Sequence, residues 1–164
     1  MKHFTAAVVA GSFDPVTVGH LDLIERAAAM FETVYVTAFH NAEKTGMFTA
    51  EEKLHMLRLA VKDIPNAVCS VETGVLADFA ASRSAVIVKG VRNGADFDYE
   101  TNLAYINRAI AGDGNTETLL LPAKQEYLPV SSTYVREMLR YHGDFRKAVP
   151  DAVYAYLTNE WRKS

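Results

Sequence analysis

The chain has 164 residues and a mass of 18.1 kDa, enough to bury a hydrophobic core as a single domain over residues 1–164 without disulfides or metals. A formal charge of −3 and a pI near 5.9 argue against a nucleic-acid surface, so the basic residues must work locally. Cys69 is the lone cysteine, which excludes an intramolecular disulfide; no apolar run reaches membrane-spanning length, and Gly11 and Asp14 follow Met1-Lys2-His3-Phe4 too soon for a secretory signal, so a cytoplasmic location is expected.

Thr5 to Val9 reads as a first strand, and from Leu21 the apolar residues Leu21, Ile24, Ala28 and Phe31 recur at helical spacing. Further β-like runs are Val34 to Phe39, Val68 to Val71, Ala85 to Lys89 and Thr118 to Leu121. Between the second and third, Thr49-Ala50-Glu51-Glu52 is a capping box that opens a helix with Leu54, Leu57 and Val61, ended by Pro65-Asn66. Leu76 to Arg83 is a shorter helix; Tyr99, Leu103, Ile106 and Ile110 share one face of a longer one, followed by the turn cluster Ala111 to Asn115. Ser132 is an expected N-cap for a helix through about Tyr141, and Pro150 suits the first turn of a last helix through Trp161. The alternation predicts an α/β fold, one doubly wound parallel sheet of the Rossmann-like kind, with its ligand in the crevice at the carboxyl ends of the strands.

Four loops fall at those ends: Gly11 to His20, His40 to Lys44, Lys89 to Arg92, and Leu128 to Thr133. The first carries glycines that let a ligand approach the backbone, then a helix start whose free N–H groups and dipole favour an anion. His20, in the first turn, can donate to a phosphoryl oxygen; standing alone, it equally fits an exposed histidine at a helix start. Lys44 alone reads as a solvated loop lysine, and Lys89 and Arg92 resemble ordinary charges at a strand end. Asp96 to Glu100 can compensate a helix dipole. Ser131, Ser132 and Thr133 offer more hydroxyls than one N-cap uses, as triphosphate oxygens would require. No His/Cys cluster has metal spacing, and Asp14 has no recognisable metal partner.

Thr17-Val18-Gly19-His20 resembles the (His/Thr)-x-Gly-His signature of a nucleotidyltransferase superfamily. With Gly11-Ser12-Phe13-Asp14-Pro15, Lys44 to Phe48 and Val130-Ser131-Ser132-Thr133, the chain resembles the bacterial phosphopantetheine adenylyltransferase family from end to end. The resemblance implies direct in-line attack of the 4′-phosphopantetheine phosphate on the α-phosphate of ATP, giving dephospho-coenzyme A and pyrophosphate, with no covalent enzyme intermediate. It implies catalytic roles for His20, Lys44 and Arg92, and acceptor contacts for Ser12, Lys44, Leu76 and Lys89. For the nucleotide it implies Ser12, Phe13, His20, Gly90, Arg92, Tyr99, Glu100, Tyr127, Val130, Ser131, Ser132 and Thr133. Magnesium would come mainly on the ATP phosphates, coenzyme A would act as a feedback ligand, and the chain would form a homohexamer, with no nucleic-acid or membrane partner. Lys89 stands where the family more often has arginine, which keeps the charge but loses the planar fork. The segment before Val130 is one residue longer than in common relatives. The rivals are a superfamily transferase using CTP with glycerol 3-phosphate or ATP with nicotinamide mononucleotide, and a nucleotide-binding regulatory module without turnover.

Overall fold

The computed structural model describes residues 4–39, 46–111 and 116–161. Within them the strands are β1 (Ala6–Gly11), β2 (Thr33–Phe39), β3 (Ala67–Glu72), β4 (Ala85–Val91) and β5 (Thr118–Pro122). The helices are α1 (Val18–Met30), α2 (Ala50–Ala60), α3 (Leu76–Ser82), α4 (Gly94–Ile110), α5 (Ser132–Arg140) and α6 (Asp151–Asn159). The strands form one parallel sheet in the order β3-β2-β1-β4-β5. Every run expected from apolar patterning is present and one or two residues longer, because the ladder carries pairing into flanks such as Ala10-Gly11 and Gly90-Val91, although β1 starts at Ala6 rather than Thr5.

The strands of the sheet's centre read as continuous apolar runs because both of their faces are covered. Ala7, Val9, Val34, Val36, Val86 and Val88 face a core shared with Ile24 and Ala27 of α1, Met56 and Leu57 of α2, Val135 and Leu139 of α5, and Val153 and Leu157 of α6. The alternate residues Ala6, Val8, Ala85 and Ile87 face Phe79 and Ala80 of α3. Truncating a fully buried side chain such as Leu157 to alanine would cost about 2–5 kcal/mol, so this one packed face fixes the frame that carries the loops.

The order reverses between β1 and β4: the chain runs outward through β2 and β3, then returns through α3 to pair β4 with the other side of β1. That is the switch point of a doubly wound sheet, where two neighbouring loops diverge and leave a crevice. The expected α/β fold is the observed one. Local details differ. The core side of α2 is Lys53, Met56, Leu57 and Ala60, with Leu54 only partly buried. Pro150 is the N-cap of α6 rather than a residue of its first turn. Cys69 is half-buried, and burial pushes its thiol above the ordinary value, which keeps it protonated and inert. Most of the turn cluster from Ala111 to Asn115 lies outside the described residues.

Candidate active site

A cleft of about 450 Å³ opens at the carboxyl ends of β1 and β4, within the size range of small-ligand sites. Its first wall is the loop from Gly11 to Thr17 and the start of α1. Phe13 takes φ 43°, an uncommon conformation for a bulky residue, and its ring is 1 % exposed. Burial of the ring offsets that local backbone cost and nails the loop down. The ring then stands edge-on to His20, with centroids 5.0 Å apart.

α1 starts at Val18, just before the start near Gly19 or His20 that the sequence suggests. Thr17 is the N-cap, and its hydroxyl accepts the His20 backbone N–H at 3.4 Å, while the Thr17 N–H donates to His20 Nδ1 at 3.0 Å. This is a capping box in which a histidine takes the place of the usual glutamate or glutamine. A backbone N–H can only donate, so Nδ1 is an acceptor and the proton of the neutral ring resides on Nε2. Burial pushes the imidazole down to about 4, and the nearby Arg92 and Lys89 charges push the same way. His20 is therefore a neutral hydrogen-bond donor near pH 7, held at the cleft wall by its own helix cap.

The second wall is β4 and the first turns of α4. Lys89 Nζ lies 3.5 Å from Glu100 Oε2, with both side chains largely buried. Arg92 Nε donates to Asp96 Oδ2 at 2.9 Å on the cleft rim. The hydrogen bond from Arg92 holds the Asp96 carboxyl below the usual carboxylate range. Gly90 and Tyr99 also line this wall. The floor at the far side is the N-terminus of α5. Ser131, not Ser132, is the cap: its hydroxyl accepts from the Tyr134 N–H at 3.1 Å. Ser132, the first helical residue, donates its hydroxyl proton to the Pro15 carbonyl at 2.8 Å, tying α5 to the first loop.

The structure thus brings Ser12, Phe13, His20, Lys89, Gly90, Arg92, Tyr99, Glu100, Tyr127, Val130, Ser131 and Ser132 to one cleft. Thr133 is exposed and outside its lining, its hydroxyl accepting from Arg136 Nη2 at 3.1 Å. Leu76 also lies outside the lining, packed against the cluster of Phe79, Ala80, Val8 and Ile87 on the face of the sheet that α3 covers. Lys44 and the rest of the His40 to Lys44 loop lie outside the described residues. Arg108, in the last turn of α4, pairs with Glu117.

Asp14 has a role that its sequence position did not reveal. Its carboxylate accepts the backbone N–H groups of Met47 at 3.0 Å and Phe48 at 3.1 Å, with Lys53 Nζ at 3.4 Å. Arg136 Nη1 donates to the Asp14 carbonyl at 2.7 Å. Asp14 is thus a latch that fixes the 46–48 turn to the first loop. Gly46 is needed there, because a Cβ would sit 2.9 Å from Asp14 Oδ1 and 3.0 Å from Lys53 Nζ. Partners 33 and 34 residues away leave no trace in local sequence pattern.

A parallel sheet with a cleft at its switch point that gathers Lys89 and Arg92 with their carboxylate partners, helix N-termini on two sides and a neutral imidazole between them defines a nucleotide-handling α/β protein of the Rossmann-like class. The profile of the cytidylyltransferase-like family matches residues 8–138. The chain is 44% identical over 159 residues to the phosphopantetheine adenylyltransferase of Symbiobacterium thermophilum, covering 96% of this chain and 97% of that protein. It is 41% identical over 150 residues to the phosphopantetheine adenylyltransferase of Levilactobacillus brevis, covering 91% and 92%. The chain belongs to the phosphopantetheine adenylyltransferase family within the cytidylyltransferase-like proteins.

Proposed function

We propose that this chain transfers the adenylyl group of ATP to 4′-phosphopantetheine, giving dephospho-coenzyme A and pyrophosphate as a step of coenzyme A synthesis. The observation that carries the reading is the neutral Nε2–H of His20 standing in one cleft with Lys89, Arg92 and the N-terminus of α5. An oxygen of the acceptor phosphate forms the new bond to the α-phosphorus. The bond from that phosphorus to the bridging oxygen breaks, and pyrophosphate leaves with the electron pair. A phosphate monoester is ionised near neutral pH, so no protein base or nucleophile is required, and positioning with charge stabilisation supplies the catalysis.

In this reading His20 donates to the phosphoryl oxygen that gains charge at the reacting phosphorus, and its neutrality leaves no proton to be lost as the pH rises above 7. Lys89, Lys44 and Ser12 hold the acceptor phosphate. Arg92 and the α5 start, with Ser131 and Ser132, hold the leaving phosphates, and Glu100, Tyr99, Gly90, Phe13, Tyr127 and Val130 frame the nucleoside. The acceptor's arm runs toward Leu76. Among the described residues no three His, Cys, Asp or Glu side chains gather. Magnesium would enter on the ATP phosphates, keep waters, and offset their charge.

The outer side of α4 supports self-association, with a homohexamer as the preferred assembly. Among the described residues the helix has no fully buried side chain, and Tyr105 is 67% exposed with Ile106 and Ile110 at 50% each. A stripe of that kind is normally covered by a partner. Coenzyme A, which shares the acceptor's arm, would compete at the same cleft.

The test is a panel of acceptors and nucleotides with magnesium, read by product mass and pyrophosphate release. ATP with 4′-phosphopantetheine should give dephospho-coenzyme A. Product only from CTP with glycerol 3-phosphate, or from ATP with nicotinamide mononucleotide, would assign the chain a different acceptor, and saturable ATP binding without any product would mark a regulatory module.

A further inference from the structure

The cleft contains a second polar cluster that the phosphoryl chemistry leaves unused. Asp22 of α1 is 5% exposed, and its carboxylate meets Lys124 Nζ at 2.5 Å and Arg26 Nη1 at 3.4 Å. Arg26 also donates to the Pro122 carbonyl at 2.8 Å. The approach of Lys124 to the buried Oδ1 has the distance of a hydrogen bond but not its angle, so charge more than a directed bond balances this oxygen. Pairing with Asp22 raises Lys124 above the ordinary lysine value.

The segment after β5 needs such a tie. β5 is an edge strand, and the Ala123 N–H to the Val91 carbonyl, at 2.8 Å, continues its ladder one residue past the strand. Beyond it, among the described residues, the backbone N–H groups of this stretch bond at short range, Tyr127 to Lys124, Leu128 to Gln125 and Val130 to Tyr127. This stretch nevertheless forms a cleft wall through Ala123, Tyr127 and Val130, facing Gly19 and Leu23 of α1. A Cβ at Gly19 would lie 3.7 Å from Tyr127 Cβ, so α1 and this wall are within contact. Lys124 stands 5.9 Å from the Tyr127 ring centre, which links the ion pair to that wall.

We propose that Asp22 is a positioning residue that clamps the Pro122 to Val130 segment onto α1, through Lys124 and Arg26, and so sets the width of the cleft end that separates a purine from a pyrimidine base. This rests on the ATP-dependent reading above. A buried carboxylate that loses its cation is strongly unfavourable, so the clamp holds the wall at one spacing rather than letting it breathe. A wall fixed at the width of the larger base gives a smaller one fewer contacts, which is selectivity by shape.

The experiment is calorimetric titration of the full chain with ATP, with CTP and with pyrophosphate, for wild type, Lys124→Gln, Asp22→Asn and the double variant. Pyrophosphate is the internal control, because the phosphate end is held separately by Ser132 on Pro15 and Arg136 on Asp14. Lys124→Gln should weaken ATP about tenfold while CTP and pyrophosphate change less than about twofold, and the double variant should be no weaker than the worse single one. ATP affinity within about twofold of wild type in both single variants would overturn the clamp, as would an equal loss for pyrophosphate or a wild type that binds ATP and CTP alike. If Asp22→Asn fails to fold, Lys124→Gln decides, since its side chain is 52% exposed. Failure of the reaction itself is seen separately, as wild type that binds ATP yet makes no product with 4′-phosphopantetheine.

Discussion

The β1–α1 wall of the cleft and the β4–α4 wall hold their polar groups in opposite ways. On the first, His20 is locked by the Thr17 N–H, flanked by the buried Phe13 ring and kept neutral by burial and neighbouring cations. On the second, Lys89 and Arg92 are already paired with Glu100 and Asp96. In the proposed reaction the first wall would be preset for the transition state, whereas the second would exchange carboxylates for phosphates when substrates arrive. Preorganisation and exchange would then divide between two loops that meet at one switch point: the group proposed to act on the reacting phosphorus is held by its cap, and the groups proposed to admit the anions are held by carboxylates.

Removing the preset group should have the largest effect. His20→Ala is expected to lower kcat about a hundred- to a thousandfold while ATP affinity stays within about threefold, measured by pyrophosphate release and by equilibrium titration. Equal losses in both would place His20 among the exchangeable binding groups and dissolve the contrast.

The second effect is on pH and stability. Between the ordinary histidine value of 6.5 and about 4, the unfolded chain takes up a proton that folded His20 refuses, so stability falls as pH drops through that window and is unaffected by this group above it. Denaturant unfolding at pH 7.5 and 4.5 should show wild type losing roughly 2–3 kcal/mol more than His20→Gln. Nitrogen NMR at pH 6 should find the ring neutral with its proton on Nε2; an imidazolium at that pH would mean that the wall is not preset.

The smallest effect belongs to the exchangeable wall. Asp96→Asn frees Arg92 from an exposed pair, and ATP should bind tighter by no more than about fivefold, with little change in kcat. A fall in kcat as large as that of His20→Ala would show that Arg92 also is fixed in advance by its carboxylate.

Much of this architecture was legible in the sequence, for identifiable reasons. Buried parallel strands need apolar runs, so β1 to β5 declared themselves, and the loops at their carboxyl ends followed from the alternation. Thr49 to Glu52 was readable as a capping box because glutamate is its usual partner; Thr17 to His20 has the same spacing but uses an imidazole, so the start of α1 was read near Gly19 or His20 rather than at Val18. The cap of α5 slipped by one residue because Ser131 and Ser132 are equally good caps, and only the contact of Ser132 with Pro15 separates them. Asp14, Asp22 and Lys124 were missed because their work depends on partners distant in sequence. The apolar face of α4 was read as ordinary amphipathicity, yet among the described residues Tyr99, Ile106 and Ile110 of that face stay exposed.

The most direct measurement follows the oxygens. With ATP and 4′-phosphopantetheine whose phosphate carries 18O, all label should appear in dephospho-coenzyme A, with unlabelled pyrophosphate and no adenylylated protein by intact mass. Label in pyrophosphate, or nucleotide attached to the protein, would contradict direct transfer across the two walls of this cleft.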